Sequence, residues 1–88
     1  MKIEYSRRFE KNYQKRIVRN NKLNKQFKKR LRLFLDTPNY PLLRDHALTG
    51  ELSGFRSFSI TGDVRLIYQI TKNSLIFYDI GTHNQLYR

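Results

Sequence analysis

The chain contains no cysteine. Disulfides, thiolate zinc sites and a cysteine nucleophile are therefore excluded. Histidine is nearly as scarce. His46 and His83 are 37 positions apart and the carboxylates are scattered, without the close ligand spacing of a metal site. The four glycines form no phosphate-binding loop. There is no internal repeat and no low-complexity tract. No apolar run approaches the roughly 18 residues of a membrane span, and the opening Met1-Lys2-Ile3-Glu4-Tyr5 carries no apolar signal segment. The expectation is a soluble, cytoplasmic protein with no membrane association, no metal and no cofactor. Its 88 residues suit one domain, 1–88, with one modest core. An active site on so small a body should be a shallow surface groove, suited to a polymer.

Acidic residues are also few, seven against eighteen lysines and arginines, for a formal net charge of +11. The excess is local. Between Arg7 and Arg32 stand twelve basic residues and one acid, Glu10, whereas six basic and six acidic residues outside that window balance. One patch of a single sign steers a polyanion to itself. It fits a nucleic acid, and an acidic protein partner is compatible with it. Lys25, Lys28 and Lys29 are candidates for contacting RNA.

The hydrophobic pattern predicts the elements. Residues 2–5 read as a short strand, with Ile3 and Tyr5 on one face. Ser6 can cap a following helix, since its hydroxyl accepts a free amide of a first turn. Phe9, Tyr13 and Ile17 then recur every four residues, and Leu23, Phe27, Leu31, Phe34 and Leu35 form a second helical stripe. Asn20-Asn21 separates the two, and the second ends near Asp36 because Thr37 precedes Pro38. Asn39 to Gly54 reads as loop. Strands are expected at Phe55–Ile60, Asp63–Ile70 and Ser74–Ile80, with Gly81 ending the last and the remainder a tail. In the second of these, Val64, Leu66, Tyr68 and Ile70 share the face that should meet the helices. The fold class is α+β: strand, helical hairpin, then three strands, the hairpin packed on a mainly antiparallel, twisted sheet.

Few residues suit chemistry. Cleaving RNA needs a group to take the 2′-hydroxyl proton, one to protonate the leaving 5′-oxygen, and a cation for the phosphate. His46, in a polar loop, and His83, after a glycine, can each serve as acid or base near neutral pH; each can equally be an ordinary surface histidine. Asp63 and Arg65 are two apart on the predicted strand, hence on one face and about 7 Å apart. They are a base and a phosphate clamp, or a surface ion pair of little consequence. Arg56 is a second candidate for the phosphate, since a planar guanidinium grips two oxygens. Tyr87 is available to stack on a base, or packs the tail onto the domain.

Four segments carry a resemblance. Asp45-His46-Ala47-Leu48-Thr49-Gly50, Gly54-Phe55-Arg56-Ser57, Asp63-Val64-Arg65-Leu66-Ile67-Tyr68 and Gly81-Thr82-His83 are collinear. Together with the ending Leu86-Tyr87 they resemble the RelE/YafQ-type toxins over roughly residues 43–88. The helical half is similar in layout and charge. The resemblance implies an mRNA interferase, the toxin of a type II toxin–antitoxin pair, cutting mRNA on the ribosome and blocked by a cognate antitoxin, expected to bring an acidic segment. It implies functional roles for His46, Asp63 and His83, with Arg65 at the phosphate. The chain departs from the pattern at Ser57 and Ser59, where YafQ-like toxins carry an Asp and a His. Two other readings are open: a ParE-like toxin that inhibits DNA gyrase without nuclease activity, and a non-catalytic RNA- or ribosome-binding module.

Overall fold

The computed structural model describes residues 2–87. In chain order the elements are β1 (Lys2–Tyr5), α1 (Arg7–Arg16), α2 (Asn21–Asp36), β2 (His46–Ala47), β3 (Arg56–Ser59), β4 (Val64–Ile70), β5 (Ser74–Thr82) and α3 (His83–Leu86). Single 3-10 turns at Pro41–Leu43 and Gly50–Leu52 flank β2. The strands form one sheet in the order β1-β5-β4-β3-β2. Among the described residues only β1, which runs parallel to β5, departs from antiparallel pairing. The architecture is the expected α+β one.

Local chemistry explains the helical half. Ser6 accepts the amide of Phe9 at 3.0 Å and donates its own hydroxyl to the carbonyl of Tyr78 at 2.8 Å, so the cap of α1 also ties it to β5. Asn20 caps α2 by accepting the amide of Leu23 at 3.0 Å. The apolar stripes meet in one core. Phe9 and Phe27 join Phe77, while Phe34 stacks on Phe58 at 4.4 Å and meets Tyr68 edge-on at 4.9 Å. Such aromatic pairs each contribute about 0.5–1.5 kcal/mol beyond the area they bury. Side chains of α2 also reach sheet carbonyls, Arg30 that of Ser59 at 2.9 Å and Gln26 that of Ile60 at 3.2 Å.

Several expectations need correction. Asp63 belongs to the turn before β4 and not to the strand; its amide donates to Thr61 Oγ1 at 3.2 Å. The pairing of β4 with β5 shifts register between Ile67 and Tyr68, and Tyr78 of β5 is the extra, unpaired residue. Val64, Leu66 and Tyr68 enter the core, but Ile70 is 54% exposed. Ile67, on the opposite face, is buried, because that face also acquires a cover: it lines a hollow with Leu52, Leu86 and Tyr87. Gly81 does not end the last strand, which runs through Thr82. A side chain at 81 would meet Arg16 Nη1 at 2.6 Å and Gln85 Oε1 at 2.7 Å, so glycine is there to let both approach. The tail is one helical turn. Thr82 accepts the amide of Gln85 at 3.3 Å and the side chain of Gln85 accepts the amide of Thr82 at 2.8 Å, a reciprocal cap.

Candidate active site

The face of the sheet away from the main core carries the polar residues. Register places Ser57 opposite Ile67, Ser59 opposite Arg65, and Arg65 opposite Gly81. A shallow hollow of about 340 Å³ opens here, lined by His46, Leu48, Arg65, His83 and Tyr87. Residues 46 and 83 thus reach one site from β2 at the edge of the sheet and from the first position of α3. The reciprocal cap of α3 orients His83, and the amide of Tyr87 donates to the carbonyl of His83 at 3.0 Å. The two rings lie 4.8 Å apart, tilted by 53°.

Arg65 is the most constrained of these side chains. Nε donates to Ser57 Oγ at 2.7 Å and Nη1 to Ser59 Oγ at 2.6 Å. Nη2 donates to the carbonyls of Arg44 at 2.9 Å and Ser57 at 3.1 Å. Both serines are buried. A guanidinium has five N–H donors; these contacts engage four of them, and Tyr87 lies beside the group on the side of the hollow. Burial pulls its pKa below the ordinary arginine range, with Tyr87 opposing that shift and Arg44 adding to it. The sequence marks Ser57 and Ser59 only as departures from a family pattern. Their work as the seat of Arg65 depends on cross-strand register, and nothing in the local sequence signals it.

A second cluster braces the chain just ahead of β2. Tyr68, from the core face, donates its hydroxyl to Asp45 Oδ2, and Arg56 Nε donates to Asp45 Oδ1 at 2.9 Å. Hydrogen bonding to Tyr68 and then to Asp45 raises the Arg56 pKa; burial first, then Asp45, pushes that of Tyr68 well above the phenol range. Arg56 does not line the hollow. It alternates with Ser57 along β3, and Asp45 engages its Nε. Asp63, exposed in its turn, also stands outside the hollow. Lys25, Lys28 and Lys29 are exposed on α2. Among the described residues, no group of three or more His, Asp or Glu could hold a metal ion.

A family model described as the bacterial toxin of a type II toxin–antitoxin system, YafQ, matches residues 1–88. The chain belongs to the YafQ toxin family. Its structure is similar to that of YafQ from E. coli strain BL21(DE3), with a TM-score of 0.80, 30% identity, and coverage of 98% of this chain and 97% of the other. It is similar to YafQ in the E. coli DinJ–YafQ complex, with a TM-score of 0.76, 32% identity and the same two coverages. It is also similar to a metal-bound toxin from Helicobacter pylori, with a TM-score of 0.76, 32% identity and 99% of each chain covered. A comparison with curated protein sequences gives no match. Among the described residues of this YafQ-family chain, no helix is long and apolar enough to cross a membrane.

Proposed function

We propose that this toxin is an endoribonuclease, an mRNA interferase that uses side chains alone. The 2′-hydroxyl of the RNA attacks the adjacent phosphorus. His46 takes the hydroxyl proton, and His83 gives a proton to the departing 5′-oxygen. The products are a 2′,3′-cyclic phosphate and a 5′-hydroxyl. The guanidinium of Arg65 stabilises the charge that gathers on the phosphate, and Tyr87 offers its ring to a flanking base.

The observation that carries this reading is that a chain with only two histidines brings both to the rim of one hollow, beside an arginine and the half-buried Tyr87. A toxin acting without proton transfer would have no use for that convergence. The shallow hollow and the basic α1–α2 hairpin suit mRNA held on the ribosome, in the cytoplasm, with Lys25, Lys28 and Lys29 against ribosomal RNA. By analogy with the DinJ–YafQ complex, a cognate antitoxin is the protein partner, its acidic segment complementing the basic hairpin.

The test is to induce the toxin in cells and map RNA ends. Codon-phased cuts in mRNA support the reading. DNA-damage signalling with intact mRNA would assign it to gyrase inhibition. Arrest of translation with neither would make it a non-catalytic ribosome-binding module.

A further inference from the structure

Arg44 is the only non-glycine residue with positive φ among the described residues, at φ 49° and ψ 41°. A side chain bearing a Cβ resists this left-handed conformation, and it persists only where the surroundings over-determine it. Here they do so from both sides. Leu43, immediately before, is fully buried in the core, and Asp45, immediately after, is held by Tyr68 and Arg56. The Arg44 amide closes the preceding turn on the carbonyl of Pro41 at 3.1 Å. The chain therefore pivots at one residue between two anchors.

The pivot aims the Arg44 carbonyl at the hollow. That oxygen lies 2.9 Å from Nη2 of Arg65 and 2.9 Å from Nδ1 of His46. A carbonyl can only accept, so an unprotonated Nδ1 at that distance would set lone pair against lone pair. The other neighbour of Nδ1 is Arg65 Nη2 at 3.3 Å. Both hydrogens of Nη2 are already directed to the carbonyls of Arg44 and Ser57, so it has none left for the ring. Nδ1 of His46 therefore carries the proton in the neutral ring, and the lone pair sits on Nε2.

We infer that Arg44 is a positioning residue whose left-handed backbone, and not its side chain, fixes His46 as the Nδ1–H tautomer and locks Arg65 beside it, presenting Nε2 as the proton acceptor. The inference deepens the proposed nuclease reading and rests on it for its consequence for rate, but the tautomer itself is independent of any activity. A residue that merely ended the turn would need only the hydrogen bond its amide donates to the carbonyl of Pro41; the state of an imidazole two residues on would be indifferent to it.

The test compares Arg44→Gly, Arg44→Asn and Arg44→Val. All three remove the same charge, so any loss of RNA affinity from that source is common to them. Glycine and asparagine accept the left-handed conformation, whereas β-branched valine opposes it. The first readout is the imidazole ¹⁵N spectrum at a pH where the rings are neutral, with His83→Gln assigning the two histidines. The Nδ1–H tautomer of His46 is expected in the wild type, Arg44→Gly and Arg44→Asn, and its loss in Arg44→Val. The second readout is single-turnover cleavage of bound RNA, expected to be roughly tenfold or more slower in Arg44→Val than in Arg44→Gly, since small displacements of reacting groups are expensive. An Nε2–H tautomer in the wild type overturns the inference, and that spectrum decides the matter even if Arg44→Val does not fold. So does a folded Arg44→Val that matches Arg44→Gly in tautomer and rate. If the expected tautomer pattern appears in a protein that cuts no RNA, the positioning role stands and the nuclease reading falls.

Discussion

The guanidinium of Arg65 and the hydroxyl of Ser59 face one another across β4 and β3, with Nη1 to Oγ at 2.6 Å. Neither end of this contact is free to move. Ser59 is buried in its strand, and Nε and Nη2 of Arg65 are held by Ser57 and Arg44. A cation fixed in this way pays no reorganisation when charge develops beside it, which is the condition for electrostatic stabilisation of a transition state. Where YafQ-like toxins carry titratable groups, this member has put hydroxyls that hold its arginine.

Replacing either hydroxyl should therefore damage both fold and rate. Ser57→Ala and Ser59→Ala each remove one hydrogen bond from the partly buried guanidinium, with an expected loss of about 0.5–1.5 kcal/mol in urea unfolding. Single-turnover cleavage should fall with little change in RNA affinity. Full activity in the double variant would mean that the seat is decorative.

Arg65→Ala should lower the bound-state cleavage rate roughly 10²-fold or more if the guanidinium acts as a lost oxyanion donor does. Arg65→Lys should rescue little, because an ammonium cannot reproduce the planar fork. If ribosome affinity falls while the bound-state rate holds, Arg65 is a docking residue.

Tyr68 ties stability to alkaline pH. Its pKa is near 10 in the unfolded chain and higher in the folded one, through burial and then Asp45. The fold thus favours the neutral phenol. That contribution is complete below about pH 10 and is lost as pH rises through the folded value. Above pH 10 the wild type should lose stability more steeply than Tyr68→Phe. At neutral pH Tyr68→Phe should be less stable by about 1 kcal/mol, the worth of one hydrogen bond. Parallel stability–pH curves for the two would refute this.

Neutralising Lys25, Lys28 and Lys29 should weaken ribosome binding and reduce its salt dependence by about one unit of logarithmic slope per lost phosphate contact. An unchanged slope would show that the outer face of α2 is not the docking face. Antitoxin inhibition should weaken in the same variant.

His83→Gln should fold and bind its partners but cut roughly 10²–10⁴-fold more slowly, the usual contribution of a positioned general acid. A substrate with a 5′-thio leaving atom needs little protonation. It should restore cleavage by His83→Gln but not by His46→Gln. Absence of rescue in a variant that still binds would reverse or remove the acid–base assignment.

Hydrophobic periodicity, the caps at Ser6 and Asn20 and the break at Pro38 determined the hairpin, because these signals act within one or two turns of the chain. The strands of the second half were legible for the same reason, though not their ends: the turn at Asp63, the register shift at Ile67 and the continuation of β5 past Gly81 depend on partners elsewhere in the chain. The residue types for the chemistry were also legible, since a chain with two histidines leaves little choice. What only the tertiary structure decided is who stands beside whom. His46 and His83 line one hollow because β2, at the edge of the sheet, and α3, just after β5, border the same face of it. Arg56 turns away and Asp45 captures it, because alternate residues of a strand point to opposite faces. Asp63 remains in solvent, one residue short of its strand. The serines become the seat of Arg65 through cross-strand register, and Arg44 takes its left-handed turn because Leu43 and Asp45 are anchored on either side. These relations join groups far apart in the chain, so no local window of sequence contains them.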